Sequence, residues 1–124
     1  MTQSAKVTLM NPVLAVNDLQ SSLDYFQNAL GFKVTWTWGE PAVRAGIALD
    51  GFELQLDASG GGPTGISVIF FHVTNLEEYY ESCVMNGANI ELEIADRSFN
   101  VRDFRVLDPS GNRLGFGAPL DTDQ

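Results

Sequence analysis

Trp36 and Trp38, His72 and Cys83 are the side chains with the most chemistry to offer, and their surroundings favour binding over bond-making. The two indoles stand one residue apart on a strand-like run that ends at Gly39-Glu40-Pro41, which places them on one face. Such a pair can stack a planar ring or a cation, and can equally serve as core or dimer contacts. Phe99 and Phe104 offer further aromatic surface or, alternatively, core packing. His72 is the single histidine, and can act as a proton-transfer group or as a hydrogen-bonded structural residue. The single cysteine, Cys83, falls on the apolar face of a helix-like run and reads as core. No Ser/His/Asp or Cys/His arrangement is supported, and no spacing argues for paired carboxylates. Gly60-Gly61-Gly62 is followed by Pro63 and not by Lys-Ser/Thr, so it reads as a linker and not as a phosphate loop.

The acidic balance narrows the partners. Sixteen acidic residues against seven basic ones give a formal charge of −9. Phosphate backbones are poor partners for such a chain, whereas a cationic small ligand is favoured. Solubility alone also accounts for the charge. Glu77, Glu78, Glu81, Glu91 and Glu93 read as solvated faces, while Glu40, Asp50, Asp57 and Asp103 lie near strand ends, where they can rim a cavity. No apolar run reaches the roughly 20 residues that span a bilayer. Met1-Thr2-Gln3-Ser4-Ala5-Lys6 lacks the order of a signal peptide, and the lone cysteine permits no internal disulfide. A cytoplasmic protein without membrane or nucleic-acid partners is expected.

The elements that must position these residues are written twice. Val16-Asn17-Asp18-Leu19 is answered 57 positions later by Val73-Thr74-Asn75-Leu76, each between an apolar strand-like run and a helix-like run. In the first copy, a strand over Lys6–Val16 leads to an Asp18 cap and a helix with Leu19, Leu23, Phe26 and Leu30 on one face, closed by Gly31. A strand over Phe32–Trp38 follows, with Val34, Trp36 and Trp38 on one side, then a hairpin over Val43–Leu49 and Phe52–Leu56 across Asp50-Gly51. The second copy runs through a strand at Ile66–Val73 and a helix capped by Asn75, with Glu78 placed for a capping box. Strands at Ile90–Ile94, Phe99–Leu107 and Arg113–Phe116 complete it. The expected organisation is one structural domain of two βαβββ modules, 1–57 and 66–119, with a linker at 58–65 and a frayed tail at 120–124. Halves of about 60 residues are marginal alone, so the modules are expected to share or exchange a core.

Val13-Leu14-Ala15-Val16-Asn17-Asp18-Leu19, Leu23-Asp24-Tyr25-Phe26 and Leu30-Gly31-Phe32 resemble the opening of the vicinal oxygen chelate superfamily. Phe104-Arg105-Val106-Leu107-Asp108-Pro109-Ser110-Gly111-Asn112-Arg113-Leu114-Gly115-Phe116 resembles its closing run. Glyoxalase I, ring-cleaving dioxygenases, fosfomycin-resistance enzymes and bleomycin resistance proteins belong to that superfamily, and Trp36-Thr37-Trp38-Gly39-Glu40-Pro41 is similar to a stretch of its bleomycin-resistance-like members. The resemblance implies an α+β fold in which tandem βαβββ modules form a curled mixed sheet around a cavity. It also implies four metal-ligand positions, which here hold Asn11, Gln55, Val68 and Gly115. Valine and glycine have no donor side chain, and metals of this class need lone-pair donors. His72 lies about 13 Å further along the strand from Val68, too far to substitute.

Strand alternation assigns Leu14, Val16, Leu54, Leu56, Ile69, Phe71, Val73, Leu114 and Phe116 to the core. The cavity face receives Leu9, Asn11, Val13, Gln55, Val68, Phe70, His72, Arg113 and Gly115. The expectation is therefore a binding protein of the bleomycin-resistance type without metal, cofactor or catalytic residue. Trp36, Trp38, Asn11, Gln55, Val68, Phe70, His72, Phe99 and Arg113 would take a small planar or cationic hydrophobic ligand in a crevice of a homodimer, with module exchange open to it. The alternatives are a metal-dependent lyase, isomerase or dioxygenase with an altered ligand set, and a structural or regulatory member without a ligand.

Overall fold

The computed structural model describes residues 4–120. Along the chain the elements are β1 (Val13–Ala15), α1 (Leu19–Asn28), β2 (Lys33–Gly39), β3 (Ala42–Leu49), β4 (Phe52–Asp57), β5 (Val68–His72), α2 (Leu76–Met85), β6 (Asn89–Arg97), β7 (Val101–Leu107) and β8 (Arg113–Pro119). The two helices are offset by the same interval as the sequence repeat. Each begins for a different local reason. Asp18 accepts the Ser21 N–H at 2.8 Å and closes the first turn of α1. Asn75 takes φ 54 and caps nothing with its side chain, so the expected capping box at α2 is not formed. Glu77 and Glu78 in that first turn instead favourably complement the positive end of the helix dipole.

The strands form two separate four-stranded sheets, in the orders β1-β4-β3-β2 and β5-β8-β7-β6. This corrects the expected single mixed sheet curled around a cavity: among the described residues no ladder joins the two sheets, and each is open at both edges. In both modules the first strand runs parallel to the fourth, with Val13 opposite Gln55 and Phe70 opposite Gly115. The Asp50-Gly51 hairpin has the positive φ values of a type I′ turn, at 51° and 86°.

Several boundaries also move. The first strand shrinks to three residues, and Lys6 to Met10 run exposed outside it. Phe99 falls in the β6–β7 turn and not in a strand. The tail expected over 120–124 and the start of the N-terminal segment, residues 1–3, lie outside the described residues apart from Leu120.

One apolar cluster unites both modules. Leu14, Phe26, Phe32, Ile47 and Leu56 of the first join Cys83, Phe104, Leu114 and Phe116 of the second. Each fully buried Phe or Leu contributes about 1.5–3 kcal/mol. Hydrogen bonds cross the same seam: the Tyr79 hydroxyl donates to the Leu30 carbonyl at 2.7 Å, and the Tyr25 hydroxyl accepts the Asn89 N–H at 2.9 Å. Buried Asn112 donates to the Ala15 carbonyl at 3.1 Å. With the helix-bearing faces turned toward this core, the opposite face of each sheet is left open. Among the described residues no helix is long and apolar enough to cross a membrane.

Candidate functional site

A β-bulge builds the open face of the first sheet. Val34 pairs with Ile47 on the core side, but the next ladder pair is Trp36 with Gly46, so Thr35 is the extra residue. The slip carries Trp36, and Trp38 opposite Arg44, onto the open face and away from Val34. The expectation that Val34, Trp36 and Trp38 share one side is therefore corrected. Thr35 Oγ1 and Trp36 Nε1 both donate to the Glu53 carboxylate, at 2.8 and 3.2 Å. Gly46 makes this possible, because a Cβ there would strike both the indole and the Thr35 hydroxyl. Trp36 is half-buried in this seat, while Trp38 is 66% exposed beyond it.

The second sheet repeats the device with other residues. The ladder steps from Ile90–Val106 to Leu92–Arg105, bulging at Glu91. Phe70 lies across Gly115 and Gly117, where a Cβ on Gly117 would stand 2.6 Å from the ring. His72 meets Phe70 edge-on at 5.1 Å. Here the bulge residue is the acceptor: Glu91 takes bonds from Arg113 and Arg105 at 3.1 and 2.8 Å. Those bonds, the Arg113 one first, hold its carboxyl below the ordinary range. By the strand registers Arg113 occupies the position that Glu53 holds in the first module, so equivalent points of the two faces carry opposite charge.

The four positions of a family-type metal site do not fit a metal. Asn11 donates its amide to the Glu53 carbonyl at 3.0 Å, and Gln55 Oε1 accepts Arg44 Nη2 at 2.7 Å. Val68 and Gly115 supply no donor. Among the described residues no group of three or more His, Cys, Asp or Glu side chains is placed to hold a metal ion.

A cavity of about 900 Å³ opens between the modules, walled by Leu9–Pro12, the β3–β4 hairpin, the end of β5 and Tyr79. Of the residues expected to take the ligand, Asn11, Phe70 and His72 line it. Trp36, Trp38, Gln55, Val68 and Arg113 lie instead on the open faces, and Phe99 stands apart, 66% exposed in its turn. Phe104 is fully buried core, as is Cys83, whose thiol is pushed up to about 11 by burial. Glu53 was not among the residues expected to take the ligand. Hairpin register from Asp50-Gly51 sets it opposite Ala48, on the same face as Gln55, which is the signal the sequence held.

Residues 8–116 match the family described as the Glyoxalase/Bleomycin resistance protein/Dioxygenase superfamily. No curated protein matches the chain. Among solved structures, TioX from Micromonospora sp. ML1 superposes with a TM-score of 0.77 over 90% of this chain and 99% of its own, at 19% identity. A glyoxalase/bleomycin resistance protein/dioxygenase from Alicyclobacillus acidocaldarius gives 0.78 over 91% and 92%, at 18% identity. The bleomycin-binding protein from bleomycin-producing Streptomyces verticillus, complexed with copper(II)-bleomycin, gives 0.72 over 93% and 98%, at 18% identity. At such identities the likeness is one of fold.

Proposed function

The chain belongs to the glyoxalase/bleomycin resistance protein/dioxygenase superfamily, and on that premise we propose that it is a metal-free small-molecule-binding protein of the bleomycin-resistance type. Its ligand is a planar or cationic hydrophobic compound, sequestered without chemical change. The observation that carries this reading is the Trp36 indole seated on Gly46, beside exposed Trp38 and the Glu53 carboxylate. A rigid aromatic platform next to an anion favours a flat cation. Sequestration requires no catalytic group, and the donor set at the family's ligand positions suits no metal.

A second copy of the chain completes the crevice. Val13, Val68 and Phe70 are exposed apolar residues on the outer strands β1 and β5, whose free edges invite pairing. The opposite charges of Glu53 and Arg113 at equivalent positions suit a first-module face of one copy closing over a second-module face of the other.

Tryptophan fluorescence titrated with bleomycin-type glycopeptides and other planar cations tests the reading. A saturable change at micromolar concentration that weakens at least tenfold in Trp38→Ala is expected. Silence across the panel would sink it. Near-stoichiometric Fe, Mn, Zn or Ni that is lost with Gln55→Ala would install the metal-dependent lyase, isomerase or dioxygenase in its place.

A further inference from the structure

The cavity between the two modules of a single chain shares Glu53 and Phe70 with the open faces, and the rest of its lining has a chemistry of its own. Phe52, Phe70, Phe71 and Tyr79 supply aromatic wall, with Leu9, Met10, Leu54 and Ile69 between them. Its volume of about 900 Å³ lies within the range of small-molecule sites. Among the described residues no lysine or arginine lines it, its carboxylates are Asp50 and Glu53, and His72 is its one imidazole. Two neutral polar groups of the wall are already engaged: the Asn11 amide donates to the Glu53 carbonyl and the Tyr79 hydroxyl to the Leu30 carbonyl. Glu53 is held in place by Thr35 and Trp36, which use two of the roughly four acceptor sites of a carboxylate.

We infer that this cavity is a second binding site, for a small amphipathic amine. The apolar part of the ligand lies against Phe52, Phe70, Phe71 and Tyr79, and its ammonium group is received by Glu53 and Asp50. A neutral guest would fill the walls while leaving the carboxylates unmatched, and an anion would be repelled by both of them. The site is contained in one chain and stands whether or not a second copy closes the open faces. It shares Glu53 with the platform proposed above, so Trp38→Ala and Phe52→Ala are the substitutions that tell the two sites apart.

The test is calorimetric titration of the full-length chain with three probes of one shape and different charge: naphthylmethylammonium, naphthylmethanol and naphthoate. The ammonium is expected to bind one per chain, the alcohol about tenfold more weakly, and the carboxylate more weakly still. Glu53→Gln should lower the affinity for the ammonium to that for the alcohol. Asp50→Asn should reduce it several-fold, and it keeps the fold because asparagine accepts the φ of 51° found there. Phe52→Ala, at a residue 77% exposed on the hairpin, should weaken ammonium and alcohol alike. Equal affinity for ammonium and alcohol in the unmodified chain would overturn the inference, as would no binding of the ammonium at millimolar concentration. Binding abolished by Trp38→Ala and untouched by Phe52→Ala would place the probe on the open face. That outcome would remove the cavity site and leave the crevice standing.

Discussion

At the scale of single residues, position in the sheet decides which side chains are available. Cys83 and Phe104 are sealed in the core, whereas Trp38 reaches solvent from the open face of β2. Cys83 makes this measurable. Burial raises its thiol from 9.0 to about 11, so folding favours the neutral form. That contribution to stability is complete below pH 9.0 and is lost as pH rises toward about 11. Urea midpoints over this range should fall more steeply for the native chain than for Cys83→Ala, and thiol reagents should react only on unfolding. The sequence marked Cys83 as core through its helical spacing. Hairpin register could place Glu53 on the Gln55 face but not mark it as a site, because one carboxylate among sixteen acidic residues becomes distinctive only when two donors converge on it.

At the scale of elements, the bulge in β2 is the device that makes a binding face. Plain alternation would have put Val34 beside the two indoles; one extra residue at Thr35 turns the strand over. Gly46 and the bulge are matched parts, since the glycine leaves the space the re-aimed indole fills. Gly46→Ala should cost about 1–3 kcal/mol in chemical denaturation. It should also shift the Trp36 emission as the ring leaves Glu53. The helix caps behave more predictably. Asp18→Ala should cost about 1 kcal/mol, whereas Asn75→Ala, at a cap that makes no side-chain bond, should lose little through capping. The Asp50-Gly51 hairpin and the α1 cap were legible because both are local chemistry. The bulge was not, because an inserted residue leaves no signature apart from the partner strand.

At the scale of the whole molecule, the modules are joined through their helix-bearing faces, and Asn112 is a principal fastener. It is buried, bonds Ala15 across the seam, ties back to Asp108, and accepts the Ser67 N–H at 3.0 Å. Asn112→Ala should cost about 3 kcal/mol in urea unfolding, since it strands buried partners. The proposed dimer should sediment at twice the 13.5 kDa chain mass, and Val68→Asp on the edge of the second sheet should shift it to monomer. The sequence by itself determined the duplication, the α+β order of each module and most of the core, because periodicity and turn chemistry act over short stretches of chain. It also determined that two of the family's four ligand positions lack a donor, since side-chain identity needs no fold. Only the tertiary structure decided that the sheets stay separate and open, and that the indoles share a face with Glu53. The place of the cavity, between the modules and with Asp50 and Glu53 in its wall, was likewise decided only there. Those outcomes depend on which residues from distant strands come to lie opposite one another, and strand pairing over long sequence separations is written in no single segment.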